Sequence, residues 1–133
     1  QTIYYPFKFA SLHGRGTALR LDVDSPAYDA DIAADVSYLD IAGVHDGDAG
    51  TLTFFAINRS ADEALEVDLA IEHFGDARSV EHMLIKHDDL RAKNTEKMPN
   101  NVVPTRTDGA RKSQGGLALI LPPLSYSMIR VQL

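Results

Sequence analysis

Five glutamates, Glu63, Glu66, Glu72, Glu81 and Glu96, are the side chains in this sequence of 133 residues most suited to breaking a glycosidic bond. That chemistry needs two carboxyl groups about 5 to 10 Å apart on either side of the scissile bond. The spacing does not provide them. Leu65, Val67, Leu69 and Ile71 recur with period two, so they share one face of a strand, and Glu66 and Glu72 fall on the opposite, solvent-facing side. Glu63 and Glu96 lie in loops. No catalytic pair is expected within the chain.

Metal and nucleophile chemistry fare no better. Asp46-Gly47-Asp48-Ala49-Gly50 has two acids at a spacing found in calcium loops, but no late bidentate Glu follows in register, so a hairpin turn is expected. Asp29, Asp31 and Asp35 read as solvated loop charges. His13, His45, His73, His82 and His87 are scattered, with no zinc-ligand spacing, and His82 alternates with Val80 and Leu84 as a strand residue does. No metal site and no cofactor are expected. Ser25, Ser60 and Ser125 lack the strand-to-helix elbow that exposes a nucleophilic serine. Gly14-Arg15-Gly16-Thr17 precedes a strand and so offers no positive helix end to a phosphate. Asn58-Arg59-Ser60 has the pattern of an N-glycosylation acceptor, relevant only to a eukaryotic secretory protein. Sugar-binding surfaces usually stack pyranoses on exposed aromatics. Here tryptophan is absent, and of Tyr4, Tyr5, Tyr28, Tyr38 and Tyr126 only Tyr28 lies outside apolar segments.

The elements around these residues are strands. Candidates are Ala18 to Asp24, Tyr38 to His45, Thr51 to Asn58, Leu65 to Glu72, Val80 to Lys86, Val102 to Arg106, Leu117 to Leu121 and Tyr126 to Leu133. Thr51 to Ile57 is apolar on both faces, which marks a central strand. Pro122-Pro123 makes a rigid corner before the last strand, because proline fixes φ and gives no N–H to a ladder. Turn signals stand at Asn58-Arg59-Ser60, Phe74-Gly75-Asp76, Asp108-Gly109 and Gly115-Gly116. About eight or more short strands so spaced predict an all-β, antiparallel β-sandwich of the jelly-roll type. Residues 24 to 35 read as a crossing loop, and His87 to Asn94 as a short helical turn capped by Asp88. Residues 1–16, aromatic and apolar before a Gly-Arg-Gly stretch, read as a connector, and 17–133 as the sandwich.

One core suits this length, with 44% apolar and 24% charged residues. No apolar run reaches the roughly 20 residues needed to cross a bilayer. Gln1 to Gly16 lacks the order of a signal peptide. Without cysteine there are no disulfides, which leans toward the cytoplasm. A net charge of −6 with no basic cluster opposes binding to nucleic acid. A first residue other than Met and a last strand built into the core suggest the carboxy-terminal piece of a longer polypeptide.

Several segments together resemble the carboxy-terminal domain of the family-51 α-L-arabinofuranosidases. They are Gln1-Thr2-Ile3-Tyr4-Tyr5-Pro6-Phe7, Val23-Asp24-Ser25-Pro26-Ala27-Tyr28-Asp29, Tyr38-Leu39-Asp40, Asn58-Arg59-Ser60, Val80-Glu81-His82, Asn94-Thr95 with Pro99 and Val102-Val103-Pro104, and Leu121-Pro122-Pro123-Leu124-Ser125. Tyr126 stands where many relatives carry tryptophan. The resemblance implies a (β/α)₈ catalytic barrel upstream, often in a homo-oligomer, that removes terminal arabinofuranosyl groups from arabinan and arabinoxylan oligosaccharides. It implies a retaining mechanism whose two glutamates precede Gln1, and a missing amino-terminal strand that completes the sandwich. Gln1 matches a family glutamine that contacts arabinose. On this reading the domain is inactive by itself, supporting the barrel and the subunit contacts. An independent carbohydrate-binding sandwich and a pure assembly module are the alternatives.

Overall fold

The computed structural model describes residues 16–21, 27–30, 33–85 and 104–133. Within them the backbone forms eleven strands and a single 3₁₀ turn at Glu72–Phe74. Six strands make the larger sheet, in the order β1 (Thr17–Ala18), β4 (Leu39–Asp46), β5 (Thr51–Asn58), β11 (Ser125–Gln132), β7 (Ser79–Ile85) and β8 (Thr105–Thr107). A smaller sheet orders β6 (Leu65–Ala70), β10 (Gly116–Leu121) and β9 (Ala110–Ser113). All their pairings are antiparallel.

Alternation decides which side chains each sheet turns inward. Along β5, Leu52, Phe54 and Ala56 are buried, and the register sets them beside Val131, Ile129 and Ser127 of β11. They meet Leu117, Leu119 and Leu121 of β10 and Leu65 of β6 in one core cluster, which joins the sheets face to face. This is the expected sandwich. The central position expected for Thr51 to Asn58 is also found, since β4 flanks it on one side and β11 on the other. Leu65, Val67, Leu69 and Ile71 all belong to the core or pack against it, as their spacing predicts. The diproline corner turns β10 into β11 through Leu124, a non-glycine residue at φ 47°.

Four expectations change, the first being the strand expected at Ala18 to Asp24, of which the described residues form only Thr17–Ala18. Ala27–Ala30 (β2) and Ala33–Ser37 (β3) form a hairpin with an irregular register, where a crossing loop was expected for residues 24 to 35. Alanine and aspartate are weak strand formers, so cross-strand pairing overrides local preference here. Ala110–Ser113 is a strand with no apolar alternation to announce it, because it is an edge strand and its Arg111 and Lys112 are exposed. Glu72 leaves its strand for the 3₁₀ turn. The helical turn expected at His87 to Asn94 lies outside the described residues, as do most of residues 1–16.

Candidate functional site

Two buried polar constellations stand at the junctions of the sandwich. The first is built on Asn58, the last residue of β5, whose side chain points into the gap between the sheets and is 1% exposed. Its Nδ2 lies 2.9 Å from the carbonyl of Leu121, 3.0 Å from that of Pro122 and 3.0 Å from that of Glu63. Its Oδ1 accepts from the Ser60 N–H at 2.9 Å. Ser60 Oγ accepts from the amides of Asp62 and Glu63, Ser60 O accepts from the Leu124 N–H, and Ser125 Oγ donates to Pro122 O. The glycosylation pattern Asn58-Arg59-Ser60 is thereby consumed inside the fold. Its amide nitrogen is bonded and its serine holds a loop.

The second constellation is His82 on β7, 2% exposed, with Nε2 2.7 Å from Ser127 Oγ on β11. Nδ1 has no partner. A proton on Nδ1 would be a buried N–H without an acceptor, so the proton belongs on Nε2, which donates to Ser127. Loss of solvent around the ring pushes its pKa below the ordinary value of 6.5. The ring is therefore neutral, the hydrogen-bonded strand histidine expected from the sequence.

The remaining candidates do not converge. Asp46 Oδ1 accepts from the amides of Asp48 and Ala49, each at 3.1 Å, which makes the acidic run a turn that folds on itself. Asp29 and Asp35 sit on the two strands of the hairpin, and Asp31 is outside the described residues. His45 packs against Phe74 at 4.8 Å between ring centroids, and His73 lies 6.4 Å from the same ring. Among the described residues no group of three histidine or carboxylate side chains is placed to hold a metal. Glu63 and Glu66 are exposed, Glu72 is exposed on its turn, and Glu81 pairs with Arg106. Glu96, Gln1, Tyr4, Tyr5, His13, Ser25 and His87 lie outside the described residues, and Tyr28 belongs to β2. An open depression of about 200 Å³ is lined by Ile71, Gly75, Asp76, Ala77, Lys112, Ser113 and Gly116, with no aromatic platform.

The two outer faces differ in chemistry. On the small sheet, alternation puts Glu66, Asp68 and Arg111 outward, all exposed, with Ile120, 42% exposed, beside Glu66. On the large sheet, the register aligns Ile57, Tyr126 and Ile85 in one outward row and Phe55, Met128 and Met83 in the next. Met128 is 1% exposed there, and Ile57 is 38% exposed. Desolvation raises the Tyr126 hydroxyl to about 12. Period-two reading of the sequence finds the inner faces; of this second apolar cluster it finds only Phe55 and Ile57, on a strand apolar on both faces, while Met83 and Met128 take the positions between the inward residues of their strands.

A family model described as the alpha-L-arabinofuranosidase C-terminal domain matches residues 1–125. The chain is 36% identical to the intracellular exo-α-(1→5)-L-arabinofuranosidase 1 of Bacillus subtilis (strain 168), over 99% of this chain and 26% of that protein. It is 32% identical to an exo-α-(1→6)-L-arabinofuranosidase of Bifidobacterium longum, over 99% of this chain and 26% of that protein. In structure it resembles a family 51 α-L-arabinofuranosidase from Bifidobacterium longum with a TM-score of 0.88 and 26% identity, covering 97% of this chain and 25% of the other. The family 51 arabinofuranosidase from Xanthomonas axonopodis pv. citri gives a TM-score of 0.76 at 25% identity, covering 86% of this chain and 23% of the other. The chain thus spans about a quarter of the length of these relatives.

Proposed function

The chain belongs to the alpha-L-arabinofuranosidase C-terminal domain family, and on that premise we propose that it is the non-catalytic sandwich of an enzyme releasing terminal arabinofuranosyl groups from arabinan or arabinoxylan oligosaccharides. The match to a quarter of each relative carries this reading, because it leaves the larger part of the polypeptide to supply the chemistry. Bond cleavage belongs to a barrel upstream, with residues 1–16 as the connector. Gln1 contacts arabinose only in the assembled enzyme. The intracellular designations of the relatives support a cytoplasmic enzyme, and among the described residues no helix is long and apolar enough to cross a membrane.

The mechanical role is supported by the outer face of the large sheet. On that face Ile57 is exposed and Phe55, Met83 and Tyr126 beside it are half-buried, an apolar strip suited to contact with another protein surface, whereas the outer face of the small sheet mixes Glu66, Asp68 and Arg111 with Ile120. The large sheet faces the barrel and the subunit contacts. Supplying the longer polypeptide with arabino-oligosaccharides tests the reading. Released arabinose supports it, and a folded polypeptide that leaves every arabinofuranosyl terminus intact overturns it.

A further inference from the structure

One side of the sandwich is closed by the corner in which the large sheet's edge strand β8 passes through Asp108 and Gly109 into β9, the edge of the small sheet. Gly109 is held on both sides. Its carbonyl accepts from the Ile120 N–H at 2.7 Å, and its α-carbon lies so close to the His82 ring that an added Cβ would stand 3.0 Å from Nδ1 and 3.1 Å from Cε1. The same Cβ would be 2.8 Å from the Ile120 carbonyl oxygen. His82 also faces Thr107 across the β7–β8 pairing and Ile129 across the β7–β11 pairing. The corner is thus clamped between β10 and one imidazole whose far nitrogen has no partner.

We propose that His82 is an acid-released latch on this corner, holding the β8–β9 edge shut while neutral and opening it when protonated. A proton added to Nδ1 creates a donor and a charge in a site that is 2% exposed. Among the described residues no carboxylate is paired with the ring. Of the charged groups on the surrounding elements, Glu81 is engaged with Arg106, and Arg130 shares that outer face by register with Glu81. Asp108, Arg111 and Lys112 are exposed. Ser127 and Thr107 are hydroxyls, and Ile129 is apolar. The charge is accommodated only by admitting water, and the route of least disruption is the edge corner rather than the central strands. The lowered pKa of the ring agrees with this geometry.

Amide hydrogen exchange of the full chain between pH 7 and pH 5, corrected for intrinsic rates, tests the latch. If only the open corner binds the proton at an ordinary histidine pKa, protection at Ile120 falls by up to roughly 25-fold across that range. Val131, on an interior strand, keeps its protection, and His82→Gln removes the pH dependence at Ile120. Equal loss at Ile120 and Val131, or no loss at Ile120, overturns the proposal. If His82→Gln does not fold, the ring Cε1–H resonance of the unmodified chain decides. Titration coincident with the loss of Ile120 protection supports the latch, and titration without that loss, or loss without titration, refutes it.

Discussion

The side-chain amide of Asn58 lies 2.9 Å from the carbonyl of Leu121, joining the last residue of β5 in the large sheet to the last residue of β10 in the small one. Both residues are buried. The contact therefore fixes how the layers meet at the end where the diproline corner passes between them. Replacing Asn58 by Ala takes a donor from the buried Leu121 carbonyl and from the part-buried Glu63 carbonyl, while Pro122 O keeps Ser125 Oγ, and each such loss costs about 1 to 3 kcal/mol. Urea denaturation of Asn58→Ala should show a loss of about 3 kcal/mol in sum. A loss below about 0.5 kcal/mol would mean that the amide does not join the sheets.

A second prediction concerns Gly43 and Phe54, partners across β4 and β5. A Cβ at Gly43 would stand 2.9 Å from Phe54 Cδ1, so the glycine leaves room for the ring to reach the core. Phe54→Ala should cost about 3 to 5 kcal/mol through the cavity left behind. Gly43→Ala should destabilise the parent but cost measurably less alongside Phe54→Leu. Additive losses in that double-mutant cycle would show that the two positions do not share space.

Tyr126 gives a prediction in the alkaline range. Burial raises its hydroxyl from 10 to about 12, so the folded chain keeps a proton that the unfolded chain releases. The contribution is complete below pH 10 and is lost as the pH rises from 10 through 12. Stability of the chain relative to Tyr126→Phe should therefore decline over that interval. The absorbance difference between the two should reveal a tyrosinate forming near 12; one forming near 10 would show an open hydroxyl.

What the sequence reveals depends on whether a residue's surroundings come from its own strand. Leu65, Val67, Leu69 and Ile71 are legible because alternation alone decides their face, and Thr51 to Asn58 because both of its faces are apolar. Ala27–Ala30 and Ala110–Ser113 are not, since pairing with a partner strand makes them strands. The polar constellations show the same limit. His82 is legible as a bonded strand histidine, but Gly109 pressed against its ring is 27 residues away, and Leu121 is 63 residues from Asn58. The Asn58-Arg59-Ser60 pattern points to a surface modification, while the fold buries it. Asp46 behaves as read because its acceptors and donors are all local.

The central claim is that these strands serve as a wall and that cleavage happens elsewhere in the polypeptide. Incubating the chain alone with a chromogenic α-L-arabinofuranoside tests it most directly. Release of the chromophore should not exceed that in buffer. Turnover that rises in proportion to the amount of chain, and survives repurification, would contradict the account.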